Sequence, residues 1–358
     1  MALRLFEHDE KAYHAAVRMM EQYGKAAIVH PTGTGKSYIA FKLIEDNPEK
    51  VVIWLSPSEY IFKTQLESLK RNDPDFPLAN VHFYTYAKLM CCAQAQLDEI
   101  AAQKPAYIIL DEFHRAGAEC WGESTVALLR LCPDAKLLGL TATNVRYLDN
   151  NRDMAEELFD SCVASDMTLG EAVVRGILPT PNYVTTVYQY QKTLAKYQAR
   201  VDNLRTPGIQ DANQKYLDAP NTDKAFADFK MDTSDRLKLL FCIDMLNEGV
   251  HVEGISGVIL FRPTISPIVY KQQIGRALTA GDNTIPLILD VVNNFEGLTS
   301  ISGLQSEMQE AVHRLYANGE GDKIVTERFE VVEQVHDCRV LFEQLQACLL
   351  YTSPSPRD

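Results

Sequence analysis

The chain has no apolar run approaching the roughly 18 residues of a membrane helix, and no signal-type apolar stretch near its N-terminus. The expected compartment is therefore the cytoplasm, with no membrane partner. Positive charge is scarce: 35 Lys and Arg face 48 Asp and Glu, a formal net charge of −13. Composition alone thus gives no sign of a broadly basic nucleic-acid face. A local groove of backbone amides and a few cations can still grip phosphates on an acidic protein. The eight cysteines, at 91, 92, 120, 132, 162, 242, 338 and 348, include no C-x-x-C pair and no histidine at zinc-ligand spacing. Reduced thiols are expected rather than disulfides or metal sites. No internal repeat is present, which excludes a solenoid. What remains is an ordinary globular composition, 46% hydrophobic over 358 residues, long enough for two domains with cores of their own.

The most informative stretch is His30-Pro-Thr-Gly-Thr-Gly-Lys36-Ser37. An apolar run, residues 26–29, precedes it and a helical pattern from Tyr38 follows, so it reads as strand, tight loop and helix. Gly33 and Gly35 let the backbone turn its amides inward, and the helix adds its positive N-terminal end. Thr32, Gly33, Thr34, Gly35, Lys36 and Ser37 are the candidate nucleotide-binding residues. Lys36 would reach the terminal phosphates, and the Ser37 hydroxyl suits a magnesium ion. The strict pattern has Gly where His30 stands.

Short apolar runs at 51–55, 81–85, 106–110 and 136–140 alternate with helical patterns after an opening helix over 9–23. They predict a doubly wound parallel sheet with both faces covered. The run 107–110 ends in Asp111-Glu112-Phe113-His114, which puts two carboxylates at the C-terminal edge of a buried strand, where ligands bind in such sheets. Asp111 would hold the metal ion, and Glu112 would orient or deprotonate the attacking water. His114 reads either as a relay or as a loop histidine. Thr141 and Thr143 follow the strand ending at Leu140 and face the same edge.

These motifs, in this order, resemble a superfamily 2 helicase, within the DEAD/DEAH-like group that includes type III restriction motor subunits. The resemblance spans roughly residues 5–295. It implies two RecA-like lobes, with ATP and Mg2+ in the cleft between them. It also implies coupling roles for His114, Thr141 and Thr143, and nucleic-acid or coupling roles for the segments holding Ser56, Gln65 and Thr85. The stretch from Asp244 to His251, with Gly249, resembles motif V. Gln272-Gln-Ile-Gly275-Arg276-Ala-Leu-Thr279 resembles motif VI, so that Gln272 contacts nucleotide and Arg276 is an arginine finger. Three departures stand out: His8-Asp9-Glu10 replaces the Gln with which the family often reads adenine, Thr279 replaces the last Arg of motif VI, and His251 replaces an Asp. Slower catalysis is expected.

The expected division is a nucleotide-binding lobe over 1–165, a linker and helical segment over 166–235, and an incomplete second lobe over 236–347. The last eleven residues, 348–358, read as the translation of a sequencing adapter, and the natural chain is expected to continue past about 347. Lobe two lacks an apolar run between Tyr190 and Arg236. Either residues 183–188 take the vacant place in its sheet or a segment was lost near Ala219-Pro220-Asn221; the loss is the preferred expectation. The function expected is an ATP-dependent helicase or translocase on single-stranded or duplex nucleic acid, DNA favoured. Its rivals are a non-motor ATP switch or scaffold, and the motor part of a restriction or defence enzyme.

Overall fold

The structure is a computed structural model, and it describes residues 3–117, 119–143, 145–146, 152–185, 255–261, 267–279, 285–292 and 303–333. Helix α1, Glu7–Tyr23, carries Glu7, Asp9 and Glu10 in its first turn, where acids oppose the positive helix end. It stops at Gly24, whose φ of 75° closes the C-cap on the Met20 carbonyl. Then come β1, Lys25–Val29; α2, Lys36–Glu45; β2, Val52–Ser56; and α3, Glu59–Asn72, whose first turn is capped by Ser58. The order continues with β3, Val81–Thr85; α4, Tyr86–Met90; α5, Gln94–Ala101; β4, Tyr107–Asp111; α6, Glu119–Leu131; and β5, Lys136–Thr141. A two-stranded antiparallel pair, β6, Val145–Arg146, and β7, Arg152–Asp153, leads to α7, Met154–Phe159, and β8, Val163–Asp166.

The first sheet is parallel throughout, in the order β3-β2-β4-β5-β1-β8. Alternate residues of each interior strand enter two separate cores. Ile28, Trp54, Ile109 and Leu138 pack with α1 and α2, while Val29, Leu55, Leu110 and Leu137 pack with Tyr86, Leu97 and Leu128. Burial on both faces explains why the strands read as continuous apolar runs. Because β5 lies between β1 and β4, the C-terminal ends of these three strands are neighbours: Val29 pairs with Thr141, and Asp111 with Leu140.

Beyond β8 the chain forms α8, Leu169–Val174, and β9, Asn182–Thr185; further on lie β10, Gly257–Leu260; α9, Pro267–Ile274; β11, Leu287–Asp290; α10, Leu304–Ala317; and β12, Val331–Glu333. A second parallel sheet has the order β10-β11-β9-β12. Strand β9 falls inside the stretch expected to be linker and is instead an interior strand of this sheet. The Tyr183 run thus stands in the sheet, as the first of the two explanations has it, and the described residues do not reach the stretch on which the second rests. The stretch around 219–221, the motif V segment with Gly249 and His251, and the tail 348–358 lie outside the described residues.

Helices α8 and α10 touch so closely that a Cβ on Gly170 would come within 2.4 Å of Glu307 Cβ. The Gly170 amide donates to Glu307 Oε2 at 3.1 Å, and Lys271 of α9 pairs with the same carboxylate. Among the described residues no helix is long and apolar enough to cross a membrane.

Candidate active site

The loop after β1 needs both of its glycines. Gly33 has φ +90° and Gly35 φ +97°, a region that L side chains rarely enter. A Cβ on Gly33 would also lie 2.0 Å from the Leu278 carbonyl oxygen, a backbone atom of lobe two. A Cβ on Gly275 would lie 3.5 Å from Thr32 Cβ, at ordinary contact distance. The phosphate loop and the motif VI segment are thus in backbone contact. Thr34 is fully buried and its hydroxyl donates to the Pro31 carbonyl at 2.9 Å, which closes the loop on itself.

At the start of α2, Lys36 turns toward the end of β4, with Nζ 3.4 Å from Glu112 Oε1. Both side chains are buried. Glu112 holds φ +49°, a strained conformation for a residue with a side chain, at the point where the strand gives way to a short 3-10 turn. Beside this pair, Gln65 of α3 donates through Nε2 to Ser37 Oγ and to Asp111 Oδ2, at 2.9 Å each. Tyr86, fully buried, donates its hydroxyl to the Asp111 carbonyl at 2.9 Å and fixes the strand end.

The two acids titrate in opposite directions. Burial pushes the Asp111 carboxyl up, the Glu112 charge adds to this, and the Gln65 hydrogen bond draws it partly back. Burial also acts upward on Glu112, but Lys36 and then His114 outweigh it and hold Glu112 below the usual range. Glu112, the acid expected to handle water, is thus held ionised over the wider pH range. His114 lies 3.5 Å from Glu112 Oε2 and 2.7 Å from the Thr141 hydroxyl through Nδ1. Thr141 in turn donates to the Thr143 carbonyl at 2.7 Å, and the Thr143 amide returns to the Thr141 hydroxyl at 3.3 Å. Glu112, His114, Thr141 and Thr143 thus form one contiguous buried cluster at the strand ends.

Magnesium fits the donor set. Ser37 Oγ and an Asp111 oxygen are hard ligands, and one nitrogen already reaches both, so a single small cation can face the two together.

Of the motif VI residues, Gln272 is buried and Arg276 half-buried in the turn that follows α9, next to the Gly275 that meets Thr32. Thr85 caps α4, its hydroxyl accepting from the Lys88 amide at 3.0 Å, and remains half-buried. Ser56 departs from expectation: it is 0% exposed inside the lobe, so an incoming strand cannot touch its side chain. Two features escaped the sequence. One is the place of Gln65 between the metal ligands, which depends on the position of α3 over the sheet; the sequence had placed Gln65 only in a nucleic-acid or coupling segment. The other is a buried cluster behind the loop. Asp9 Oδ2 lies 2.7 Å from where a Gly35 Cβ would be, and Asp9 Oδ1 is 3.8 Å from His30 Nδ1. His8 Nε2 meets the Thr34 carbonyl at 2.8 Å, and His30 Nε2 meets Ser165 Oγ at 2.8 Å. Burial drives Asp9 up to about 7 and His30 down to about 4. The signals were His30 in place of Gly and the His8-Asp9 pair, both visible as departures but without a partner in the sequence.

The family model "Type III restriction enzyme, res subunit" matches residues 2–146, and "Helicase conserved C-terminal domain" matches residues 183–281. A "51.5 kDa protein" of Lactococcus phage (isolate 7-9) is 24% identical over 313 residues, 75% of this chain and 66% of its own. Among solved structures, the ATP-dependent Type ISP restriction-modification enzyme LlaBIII bound to DNA has a TM-score of 0.59 at 14% identity, over 98% of this chain. The Escherichia coli DEAH/RHA helicase HrpB has 0.53 at 15%, over 81% of this chain, and Mss116p bound to ssRNA and AMP-PNP has 0.53 at 13%, over 96% of this chain and 80% of its own. The chain spans 33% of LlaBIII and 43% of HrpB. Two family models in the order that the motifs follow, together with two parallel-sheet lobes of RecA-like type, support a superfamily 2 helicase of the DEAD/DEAH-like, type III restriction motor group.

Proposed function

We propose that the chain hydrolyses ATP between its lobes and uses the cycle to translocate along or unwind nucleic acid, with DNA preferred. The observation that carries this reading is the convergence of Lys36 and Glu112, 3.4 Å apart, with the Ser37 and Asp111 pair beside them. Lys36 is the phosphate cation, and Thr32, Gly33, Thr34 and Gly35 offer backbone to the phosphates, joined by Gln272 from lobe two; Gly249, outside the described residues, takes the same role on its resemblance to motif V alone. A Mg2+ ion held by Ser37 and Asp111 would neutralise charge on the phosphate oxygens. Glu112, ionised, orients the attacking water and accepts its proton, and Arg276 faces the charge that develops on the γ-phosphate. His114, Thr141 and Thr143 carry the state of Glu112 toward the lobe interface. Thr85, at the sheet edge, is the remaining candidate for a strand contact. In domain terms, the nucleotide lobe runs to about residue 165, and the second lobe takes in β9 as well as 236–347.

DNA is favoured because the matching model for lobe one is that of a restriction subunit, and LlaBIII is described as bound to DNA. ATP turnover measured with single-stranded DNA, duplex DNA and RNA tests the reading. DNA should stimulate turnover most. Glu112→Gln should still bind ATP while turnover falls by about two to four powers of ten, the span of general-base loss. Wild-type turnover in that variant would sink the assignment. ATP binding without stimulation by any nucleic acid would favour the switch or scaffold instead.

A further inference from the structure

The Gln65 carboxamide has one donor end and one acceptor end, and the structure uses only the donor. Nε2 serves Ser37 Oγ and Asp111 Oδ2 at 2.9 Å each, while Oε1 is buried with no hydrogen-bond partner. The orientation is dictated by the partners: the Asp111 carboxylate can only accept, so the amino end must face it. Leaving the buried amide oxygen without a protein donor is costly unless another state of the site supplies one.

A divalent cation reverses the demand at this spot. It takes the lone pairs of Ser37 and Asp111 that Nε2 now fills, and its own water ligands are donors in search of acceptors. A half-turn about the terminal torsion, which is broad and two-fold for such side chains, exchanges the two ends of the amide without moving the backbone. We propose that Gln65 is a two-state positioning residue of the metal site, holding the two ligands together through Nε2 before the cation arrives and accepting from its water shell through Oε1 afterwards. The inference rests on the ATP-hydrolysing reading of the cleft.

Binding of Mn2+, read from the paramagnetic signal of the free ion, tests it in the presence of saturating ADP, with ADP affinity measured separately in EDTA. Gln65→Leu keeps the bulk but has neither end, and should weaken Mn2+ binding by about ten- to a hundredfold, as loss of an outer-shell partner does. Gln65→Glu, an acceptor only, should bind Mn2+ at least as tightly as the wild type. ADP affinity in EDTA should be unchanged in both. Wild-type or tighter Mn2+ binding by Gln65→Leu would overturn the proposal, since the amide would then be a structural tie or a competitor of the cation. Weakened binding by Gln65→Glu would overturn it as well, and this arm stands even if the leucine variant does not fold. Failure of the wild type to bind ADP at all would bring down the ATP reading and this inference together, whereas normal ADP binding with unresponsive Mn2+ affinity would bring down the inference alone.

Discussion

Asp9 and His30 share one buried site behind the phosphate loop, yet burial acts on them with opposite sign, because it disfavours the anion of one and the cation of the other. Asp9 is pushed up to about 7 in the fold against an ordinary 3.8, so as pH rises through that window the unfolded chain loses its proton first and stability falls. His30 titrates at about 4 in the fold against 6.5, so as pH drops below 6.5 the unfolded chain gains a proton that the fold refuses, and stability falls in that direction. Between about pH 4 and 6.5 the two slopes nearly cancel in the intact protein. Removing either partner should expose the other. Thermal denaturation without nucleotide should show Asp9→Asn gaining stability from about pH 4.5 to 6.5, and His30→Gln losing it over about pH 4.5 to 7, each by up to a few kcal/mol. Parallel profiles for both variants and the wild type would mean that the pair does not titrate as its burial demands.

At the scale of elements, legibility followed local chemistry. The unit β1-loop-α2 was readable because its glycines, lysine and serine act within eight residues, and β4 because its apolar run ends abruptly in two acids. Strand β8 was not readable: Val163-Ala-Ser-Asp166 has no apolar run, and its pairing with β1 comes from the neighbour rather than from propensity. Strand β9 could be seen only as a candidate, since its place depends on partners about a hundred residues away. There the Tyr183 hydroxyl donates to Asp290 Oδ2 at 3.0 Å on β11 and receives the Tyr270 hydroxyl at 2.7 Å from α9, all three buried. This chain of hydroxyls ties the helix with Gln272 to two strands of its sheet. Tyr183→Phe removes both hydrogen bonds and should cost about 1 to 3 kcal/mol or more, whereas Tyr270→Phe removes only the outer one and should cost less. Urea midpoints compare the two, and equal losses would show that the tyrosine pair acts through packing alone.

For the whole molecule, the decisive contact is the one between lobes, where Gly33 meets the Leu278 carbonyl and Gly275 meets Thr32. The sequence had announced both motifs and their order, but not that their backbones touch, because proximity across more than two hundred residues leaves no mark in local spacing. This contact separates two jobs that one segment could otherwise confuse. The main chain around Gly275 and Leu278 meets the phosphate loop, Gly33 against the Leu278 carbonyl and Gly275 beside Thr32. In the proposed mechanism the Arg276 side chain acts on charge that exists only while the phosphate is leaving. Arg276→Ala should consequently leave ATP affinity within a fewfold of wild type, while turnover with saturating nucleic acid falls by about two powers of ten or more, the loss seen when one donor to a developing charge is removed. Thr279→Arg, which restores a second cation on the same turn, should raise turnover if that turn faces the γ-phosphate. Equilibrium binding of a fluorescent ATP analogue and steady-state turnover measure the two quantities separately. A parallel fall of both in Arg276→Ala would make the arginine part of the interlobe seat, and no change in either would remove it from the reaction.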